Sequence, residues 1–191
     1  MGRVENLNDL VLELGCKVGV LPSSYLGLLL GAPFKFVAAW YEVERVVNDF
    51  ENRARPDDTL ETMIDREIEQ ECAKQPSSAS RSLIRVKRSI IMLRVMFEQM
   101  LSSRENSIEG AVSKSYEQSF AAFHGWASRT AVFASLPHLP TRDKLMKKLT
   151  ENEASMTVKM QSFIDSSAIL VQYIRGLFHS RESAKELLEQ I

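Results

Sequence analysis

Hydrophobic residues recur at helical spacing along most of this chain. Residues 26–52 are apolar at first and then place hydrophobic side chains three or four positions apart, which predicts a helix. The polar segment 55–58 breaks this pattern. Asp58, with Glu61 three residues later, predicts a capping box that begins an acidic amphipathic helix over residues 59–74.

The most apolar segment of the chain spans residues 81–101. It follows a loop at 75–80, where proline and serine residues end the preceding helix. The polar positions of this segment beyond Arg88 are Ser89, Arg94, Glu98 and Gln99. A helix that is apolar nearly all round packs on more than one side, so we expect this helix to be central.

The helical pattern continues after a polar loop at 102–110. Residues 111–133 predict one further helix with an apolar face. The residues on that face are Tyr116, Phe120, His124 and Ala127. A turn at 136–140 then separates this helix from a short basic helix that begins at Thr141.

A long amphipathic helix closes the chain. Thr150 and Glu153 have the spacing of a second capping box, which predicts where this helix begins. No repeat, linker or strand-rich block stands out anywhere in the sequence. The pattern therefore predicts one all-α domain over residues 1–191 with about seven or eight helices, too many for a simple four-helix bundle.

Composition and charge exclude several classes of protein. The 191 residues are 45% hydrophobic, and 24 basic residues balance 25 acidic ones, so no global positive field exists to hold nucleic acid. Cys16 and Cys72 lie far apart, which excludes a disulfide framework or a zinc site of cysteines. The N-terminus lacks the apolar stretch of a signal peptide, and the longest uncharged run is broken by prolines. We expect a soluble, cytoplasmic protein.

Motifs of common enzymes are missing from the sequence. It contains no HExxH, GxSxG, GxGxxG or GxxxxGK segment. His124, His138 and His179 are scattered without the spacing of metal ligands, so we expect no metal and no cofactor. A binding protein is therefore favoured, and His124 alone leaves room for an enzyme with an unfamiliar site.

One cluster of cations needs an explanation beyond solubility. Arg81, Arg85 and Arg88 share a face at the start of the central helix, and the face continues as an apolar stripe. Cations at a helix N-terminus oppose the macrodipole, so an anion is expected nearby. Guanidinium groups beside free backbone N–H groups would suit the phosphate or carboxylate of an amphiphile. The alternative is that these arginines pair with segment 42–71, which has eleven acids against four bases.

Two further residues allow a structural and a functional interpretation. His124 lies on an apolar helix face, where a histidine is either a satisfied core residue or a group that binds a ligand. Trp126 groups with Arg129 and Phe133, at the edge of the core or as an anchor at a membrane surface. Sequence spacing leaves both choices open.

Several separated motifs together resemble one family. They are RSLIRVKR at 81–88, FEQ at 97–99, KSY at 114–116, FAAFHGWA at 120–127, LPTR at 139–142, and MQS and SSA within 160–168. In this order they resemble the glycolipid transfer protein superfamily, most closely the plant accelerated-cell-death type that transfers ceramide-1-phosphate. The resemblance covers about residues 31–178. It implies a two-layer all-helical fold that encloses lipid chains and moves a sphingolipid between membranes without covalent chemistry.

The resemblance also implies roles for individual residues. Arg81 and Arg85 match arginines that bind the lipid phosphate, and Arg85 stands where the glycolipid branch has a tryptophan platform for sugar. His124 matches a histidine that hydrogen-bonds the ceramide amide. Trp126 matches an aromatic residue implicated in docking to the bilayer, so transient membrane contact is expected.

Two positions depart from the family pattern. Trp40 stands where the family has an aspartate for the ceramide amide and hydroxyl, and Glu44 replaces a phosphate-binding lysine. An acid near the arginines would neutralise the pocket, and one lost charge-assisted hydrogen bond costs about 1.5–3 kcal/mol. The alternative function is therefore a degenerate member of the fold that senses lipid or binds a protein partner without transfer.

Overall fold

A computed structural model describes three ranges of the chain: residues 59–103, 105–148 and 153–181. Within them, the side chains of Met146, Lys148 and Glu153 are not described. The described part is helical, with no strand beyond an isolated bridge pair between Ser107 and Thr141. The α-helices are α1 (Leu60–Glu69), α2 (Ala79–Ser102), α3 (Glu109–Ser119), α4 (Trp126–Ser135), α5 (Arg142–Lys148) and α6 (Glu153–His179). Two short 3₁₀ turns, Ala121–Phe123 and Leu136–His138, flank α4. The predicted all-α class is confirmed.

Some predictions fall outside these ranges. The helix over 26–52, the residues Trp40 and Glu44, and the capping position Thr150 lie in parts of the chain that the structure does not describe. The described ranges alone contain six α-helices against the seven or eight predicted for the whole chain.

Helix α1 begins and ends differently from its prediction. Thr59, rather than Asp58, is the N-cap, because its hydroxyl accepts a 3.3 Å hydrogen bond from the Thr62 amide while the Thr62 hydroxyl accepts from the Thr59 amide at 2.8 Å. The helix ends at Glu69 instead of residue 74. The reason is the left-handed backbone of Glu71, with φ of 55°, around which Cys72 donates to the Glu67 carbonyl at 2.9 Å.

Two hydrophobic cores lie along α2, which packs against α1, α3 and α6. The aliphatic core surrounds its first half and is made by Leu60, Ile64, Ala73, Leu83, Ile84, Val86, Ile90, Leu170, Val171, Ile174, Leu177 and Phe178. The methionine-rich core surrounds its second half and is made by Met92, Met96, Met100, Ile108, Val112, Tyr116, Ala121, Val132, Leu145, Met156 and Met160. The central position predicted for α2 is therefore correct.

The predicted continuous helix over 111–133 is wrong. Helix α3 ends at Ser119, a 3₁₀ turn follows, and His124 adopts an extended backbone before α4 begins at Trp126. Gly125 is also extended and serves as the N-cap of α4. Glycine loses more backbone entropy in a helix than any other residue, so the break falls where continuing the helix is least favourable.

Side chains far apart in sequence tie these helices together. Arg181, just after α6, forms a two-pronged ion pair with Asp65 of α1, which lowers the pKa of that carboxyl. The Tyr173 hydroxyl donates to the Glu61 carboxylate at 3.0 Å. At the other end, Arg142 donates to the carbonyls of Met100 and Ser103 and so caps the C-terminus of α2.

Candidate headgroup site

The N-terminus of α2 is already satisfied by groups of the chain itself. The Glu67 carboxylate accepts hydrogen bonds from the amides of Ala79 and Ser80 at 2.7 and 2.9 Å. The Ser78 hydroxyl accepts from the Arg81 amide at 3.0 Å. The expectation of free N–H groups beside the arginines is therefore wrong, because Glu67 supplies the anion that the helix dipole favours.

Arg81 is held back toward the loop before α2. It is half-buried, and its Nη1 donates to the Lys74 carbonyl at 3.3 Å. Its Nε is buried and, within the described ranges, has no hydrogen-bond partner. Arg81 thus keeps one donor that its own surroundings leave unused.

Three acids that could neutralise the arginines are engaged elsewhere. Glu67 caps α2, Asp65 pairs with Arg181, and Glu61 accepts from a tyrosine. The alternative interpretation was that the arginines of α2 pair with acids of segment 42–71. The three acids named here bind other groups instead. The acids at 42–58 lie outside the described residues.

Positive charge is buried one turn further along α2. Lys87 and Arg88 are 7% and 5% exposed. Burial, reinforced by the charges of Arg88 and Arg175, lowers the pKa of Lys87 to about 8. Burial and the charge of Arg85 lower the pKa of Arg88 to about 10. Lys87 and Arg88 therefore form a buried, positively charged pair on α2, and burial makes their charged forms less favourable than in water.

Arg88 connects α2 with the turn that carries His124. Its guanidinium carbon lies 3.2 Å from the centre of the Phe123 ring, a cation–π contact. Its Nη2 is buried with no hydrogen-bond partner in the part of the chain that the structure describes. Since Phe123 directly precedes His124, this contact brings the arginine face of α2 beside the histidine.

His124 is oriented by aromatic neighbours. Its ring stacks on Phe120, with centroids 5.6 Å apart and planes 27° apart. Its Nδ1 lies 2.9 Å from the hydroxyl oxygen of Tyr116, which is 2% exposed. Burial raises the pKa of Tyr116, so the hydroxyl keeps its proton at neutral pH. When Tyr116 donates that proton to Nδ1, a neutral His124 keeps its own proton on Nε2.

Three aromatic side chains are exposed next to this cluster. Trp126, the first residue of α4, is 81% exposed, while Phe123 and Phe133 are 41% and 36% exposed. Large apolar side chains grouped at a surface mark a contact site for a protein or a membrane. Trp126 is therefore not a buried core residue, and its role as a membrane anchor stays a prediction.

The structure therefore joins some predicted residues and leaves others apart. Arg88 stacks on Phe123, which directly precedes His124, and Arg85 is close enough for its charge to act on Arg88, whereas Arg81 is tied to the preceding loop. Sequence reasoning missed Phe123 and Tyr116 as partners of this cluster. The only available signal for Tyr116 was its place two helical turns before His124, on a helix that in fact stops between them.

The described ranges contain neither a cluster of metal ligands nor a helix that could span a membrane. Within them, no three histidine, cysteine or acidic side chains come together as metal ligands do. The helices found there are also too short or too polar to cross a bilayer.

Comparison with known proteins places this all-helical fold among lipid transfer proteins. A family model described as Glycolipid transfer protein matches residues 25–151. Accelerated cell death 11 of Arabidopsis thaliana is 41% identical over 154 residues, which cover 80% of this chain and 74% of that relative. The chain belongs to the glycolipid transfer protein family, as the sequence motifs indicated.

Two further matches are proteins described with ceramide-1-phosphate. The ceramide-1-phosphate transfer protein of Xenopus tropicalis is 25% identical over 138 residues, 69% of this chain and 63% of that relative. A crystal structure of a mutant of accelerated cell death 11 from Arabidopsis, complexed with C12 ceramide-1-phosphate, matches with a TM-score of 0.79 and 35% identity. That match covers 93% of both chains.

Proposed function

We propose that this chain, acting as one domain over residues 1–191, binds a phosphorylated sphingolipid of the ceramide-1-phosphate type and carries it between membranes. The carrier works in the cytoplasm and changes no covalent bond of its cargo. The observation that carries this proposal is the pair of buried cations, Lys87 and Arg88, beside the turn of His124, where Nη2 of Arg88 has no hydrogen-bond partner among the described residues. The complex of a related protein with C12 ceramide-1-phosphate supports the choice of cargo.

The energetics explain why such a lipid needs a carrier. Exposing lipid chains to water costs about 0.8 kcal/mol per methylene group, so a two-chain lipid leaves a bilayer very slowly. A protein that covers the chains removes most of this cost. Binding and release then require only noncovalent contacts, which agrees with the absence of a recognisable catalytic motif from the sequence.

We assign headgroup recognition to the cations at the start of α2. Arg81 and Arg85 bind the phosphate, and the unused Nε donor of Arg81 is consistent with that role. Arginine suits this task because its guanidinium donates two parallel hydrogen bonds to phosphate oxygens. The phosphate adds negative charge near the buried cations Lys87 and Arg88, beyond the helix N-terminus that Glu67 already caps.

We assign the ceramide amide to His124. With Tyr116 donating to Nδ1, a neutral His124 carries its proton on Nε2, and we assign this N–H group as the donor to the amide carbonyl oxygen. The stack on Phe120 fixes the plane of the ring, so this donor points in one direction. Tyr116 thereby decides which end of the amide His124 recognises.

We assign the lipid chains to the methionine-rich core. The side chains of this core are buried, and Phe97 of α2, which packs against it, meets Phe163 of α6 edge-to-face with centroids 5.4 Å apart. Methionine side chains are unbranched and adapt to irregular shapes, so this core can repack around an entering chain. The chamber predicted between the central and final helices would open here.

We assign membrane docking to Trp126. Tryptophan favours the interface between water and lipid, and a side chain that is 81% exposed is free to enter it. Contact with the membrane is peripheral and transient in this proposal, since the helix that carries Trp126 has only ten residues.

Trp40 and Glu44 favour a second candidate function. With these residues at the family's aspartate and lysine positions, the protein could have kept the fold while losing transfer, as a lipid sensor or a module for a protein partner. A sphingolipid that raises the melting temperature would count against the protein-binding module. Binding without transfer would favour the sensor.

The test is vesicle-to-vesicle transfer of fluorescent ceramide-1-phosphate, with glucosylceramide and phosphatidic acid as controls. We expect selective transfer of the phosphoceramide, because phosphate and amide are both recognised. Equal transfer of glucosylceramide would contradict the role of the arginines. No transfer by a folded protein would leave the second candidate.

A further inference from the structure

Arg88 occupies an unfavourable position in the fold, and no part of the cargo has been assigned to it. Its side chain is 5% exposed, and its Nη2 has no hydrogen-bond partner in the described part of the chain. Its charged neighbours include Arg85, which adds repulsion rather than compensation. A buried guanidinium normally has a carboxylate partner, because desolvation of an unpaired charge is costly.

Phe123 is the group that covers this charge. The ring lies 3.2 Å from the guanidinium carbon, so it stacks on the face of the guanidinium. A stacked ring accepts none of the in-plane N–H bonds, so it does not satisfy the buried Nη2 of Arg88, which has no partner among the described residues. Phe123 therefore shields Arg88 from water without satisfying it.

Phe123 is also placed where a membrane would act on it. It is 41% exposed at the end of a three-residue 3₁₀ turn, three residues before Trp126, which is 81% exposed. The amide of Phe123 is held by a single 2.9 Å bond to the Phe120 carbonyl. Aromatic side chains gain free energy at a bilayer interface, so contact there competes with the stack on Arg88.

We propose that Phe123 covers Arg88 in the lipid-free protein and releases it at a membrane, so that Arg88 becomes a further ligand of the cargo phosphate. This inference rests on the function proposed above. Coupling the release to the membrane keeps a strong anion-binding group away from free phosphate in water. It also makes Phe123 a residue that determines where phosphate is recognised.

The experiment measures binding of a water-soluble short-chain ceramide-1-phosphate in the absence of vesicles. We compare wild type, Phe123→Ala, Arg88→Met and the double variant. Removing the cover should tighten binding about three- to tenfold for Phe123→Ala, the range of one cation–π contact. The same substitution should change nothing in the Arg88→Met background, because no charge is left to uncover.

Two controls separate this effect from general damage. Ile169→Ala removes another exposed apolar side chain, 61% exposed on α6, and should bind as wild type does. Phe123→Tyr keeps the stacking ring and should also behave as wild type. Arg88→Met should melt no lower than wild type, because it removes a buried charge that lacks a partner; a purely structural Arg88 would give a clear drop.

The outcomes distinguish this inference from the proposed function. Unchanged or weaker binding by Phe123→Ala, or an equal gain in the Arg88→Met background, overturns the inference and leaves the carrier intact. Failure of the wild type to bind the lipid overturns both. Adding phosphatidylcholine vesicles should shrink the advantage of Phe123→Ala, and an undiminished advantage would overturn release at the membrane.

Discussion

The two cores along α2 are built from different side chains. The aliphatic core contains no methionine among its buried residues and consists mostly of leucine, isoleucine and valine. The methionine-rich core contains five buried methionines, three of them on α2. Branched side chains have few rotamers and hold neighbouring helices in one arrangement, whereas methionine has three rotatable bonds and fills irregular gaps.

This difference separates two tasks along one helix. The cations at the start of α2 stand over the aliphatic core, where Arg181 and Tyr173 tie α6 to α1. A headgroup site needs ligands at fixed positions, which a stiff support provides. The other half of α2 can adapt to chains of different length. On the proposed assignments, phosphate recognition and accommodation of the lipid chains would occupy opposite halves of the same helix.

The largest expected effect comes from removing a headgroup cation. Arg85→Leu should reduce transfer of ceramide-1-phosphate about a hundredfold or more, because two charge-assisted hydrogen bonds of about 1.5–3 kcal/mol each are lost. Vesicle transfer assays measure the loss, and helical circular dichroism should stay unchanged. Transfer at the wild-type rate would show that Arg85 does not contact the phosphate.

The contrast between the cores predicts unequal losses of stability. Ile174→Ala, at a fully buried position of the aliphatic core, should lower the free energy of unfolding by about 2–5 kcal/mol through the cavity it leaves. Met160→Ala in the methionine-rich core should cost less, about 2 kcal/mol, because neighbouring methionine side chains can move into the cavity. Urea denaturation measures both, and comparable losses for the two variants would break the distinction.

Lys87 makes stability depend on pH in an unusual direction. Its pKa is lowered to about 8 in the folded protein, so between pH 8 and its usual value of 10.5 the unfolded chain binds more protons. Folding stability contributed by this group therefore rises with pH across that window. Lys87→Met should stabilise the protein at pH 7 by about 1–3 kcal/mol, and this gain should shrink toward pH 10.

Thermal unfolding of both proteins from pH 7 to pH 10 checks this prediction. Comparison with the wild type removes contributions from other groups that titrate in the same range. A stability difference that does not change with pH would contradict a lowered pKa for Lys87.

The smallest effect is expected at the hydroxyl of Tyr116. Tyr116→Phe removes the 2.9 Å contact with Nδ1 of His124 while keeping the ring that packs against Phe133. Affinity for ceramide-1-phosphate should fall by about 0.5–1.5 kcal/mol, the range of one neutral hydrogen bond. The same substitution in a His124→Ala background should add nothing, and an additive loss would show that Tyr116 acts independently of His124.

Long periodic helices were predictable from the sequence, and the turns between them were less so. The central helix was expected over 81–101 and observed as Ala79–Ser102, because its hydrophobic pattern continues for six turns. The break at Gly125 was missed since helical spacing of Tyr116, Phe120 and His124 persists across it. These three rings do meet, although two of them lie outside the helix.

Contacts made through space were beyond the sequence. Glu67 was one of many acids before α2, and only the left-handed turn at Glu71 brings its carboxylate to the amides of Ala79 and Ser80. The stack of Phe123 on Arg88 likewise depends on the 3₁₀ turn between α3 and α4. Spacing within one element reveals neither contact.

Selective binding of a phosphoceramide can be measured directly by native mass spectrometry. The protein is first incubated with equal amounts of ceramide-1-phosphate, glucosylceramide and phosphatidic acid. We expect one ceramide-1-phosphate per chain, with little of either competitor, since among the three lipids only this one offers both a phosphate and an amide. A protein that retains no lipid, or retains glucosylceramide equally well, would contradict this expectation.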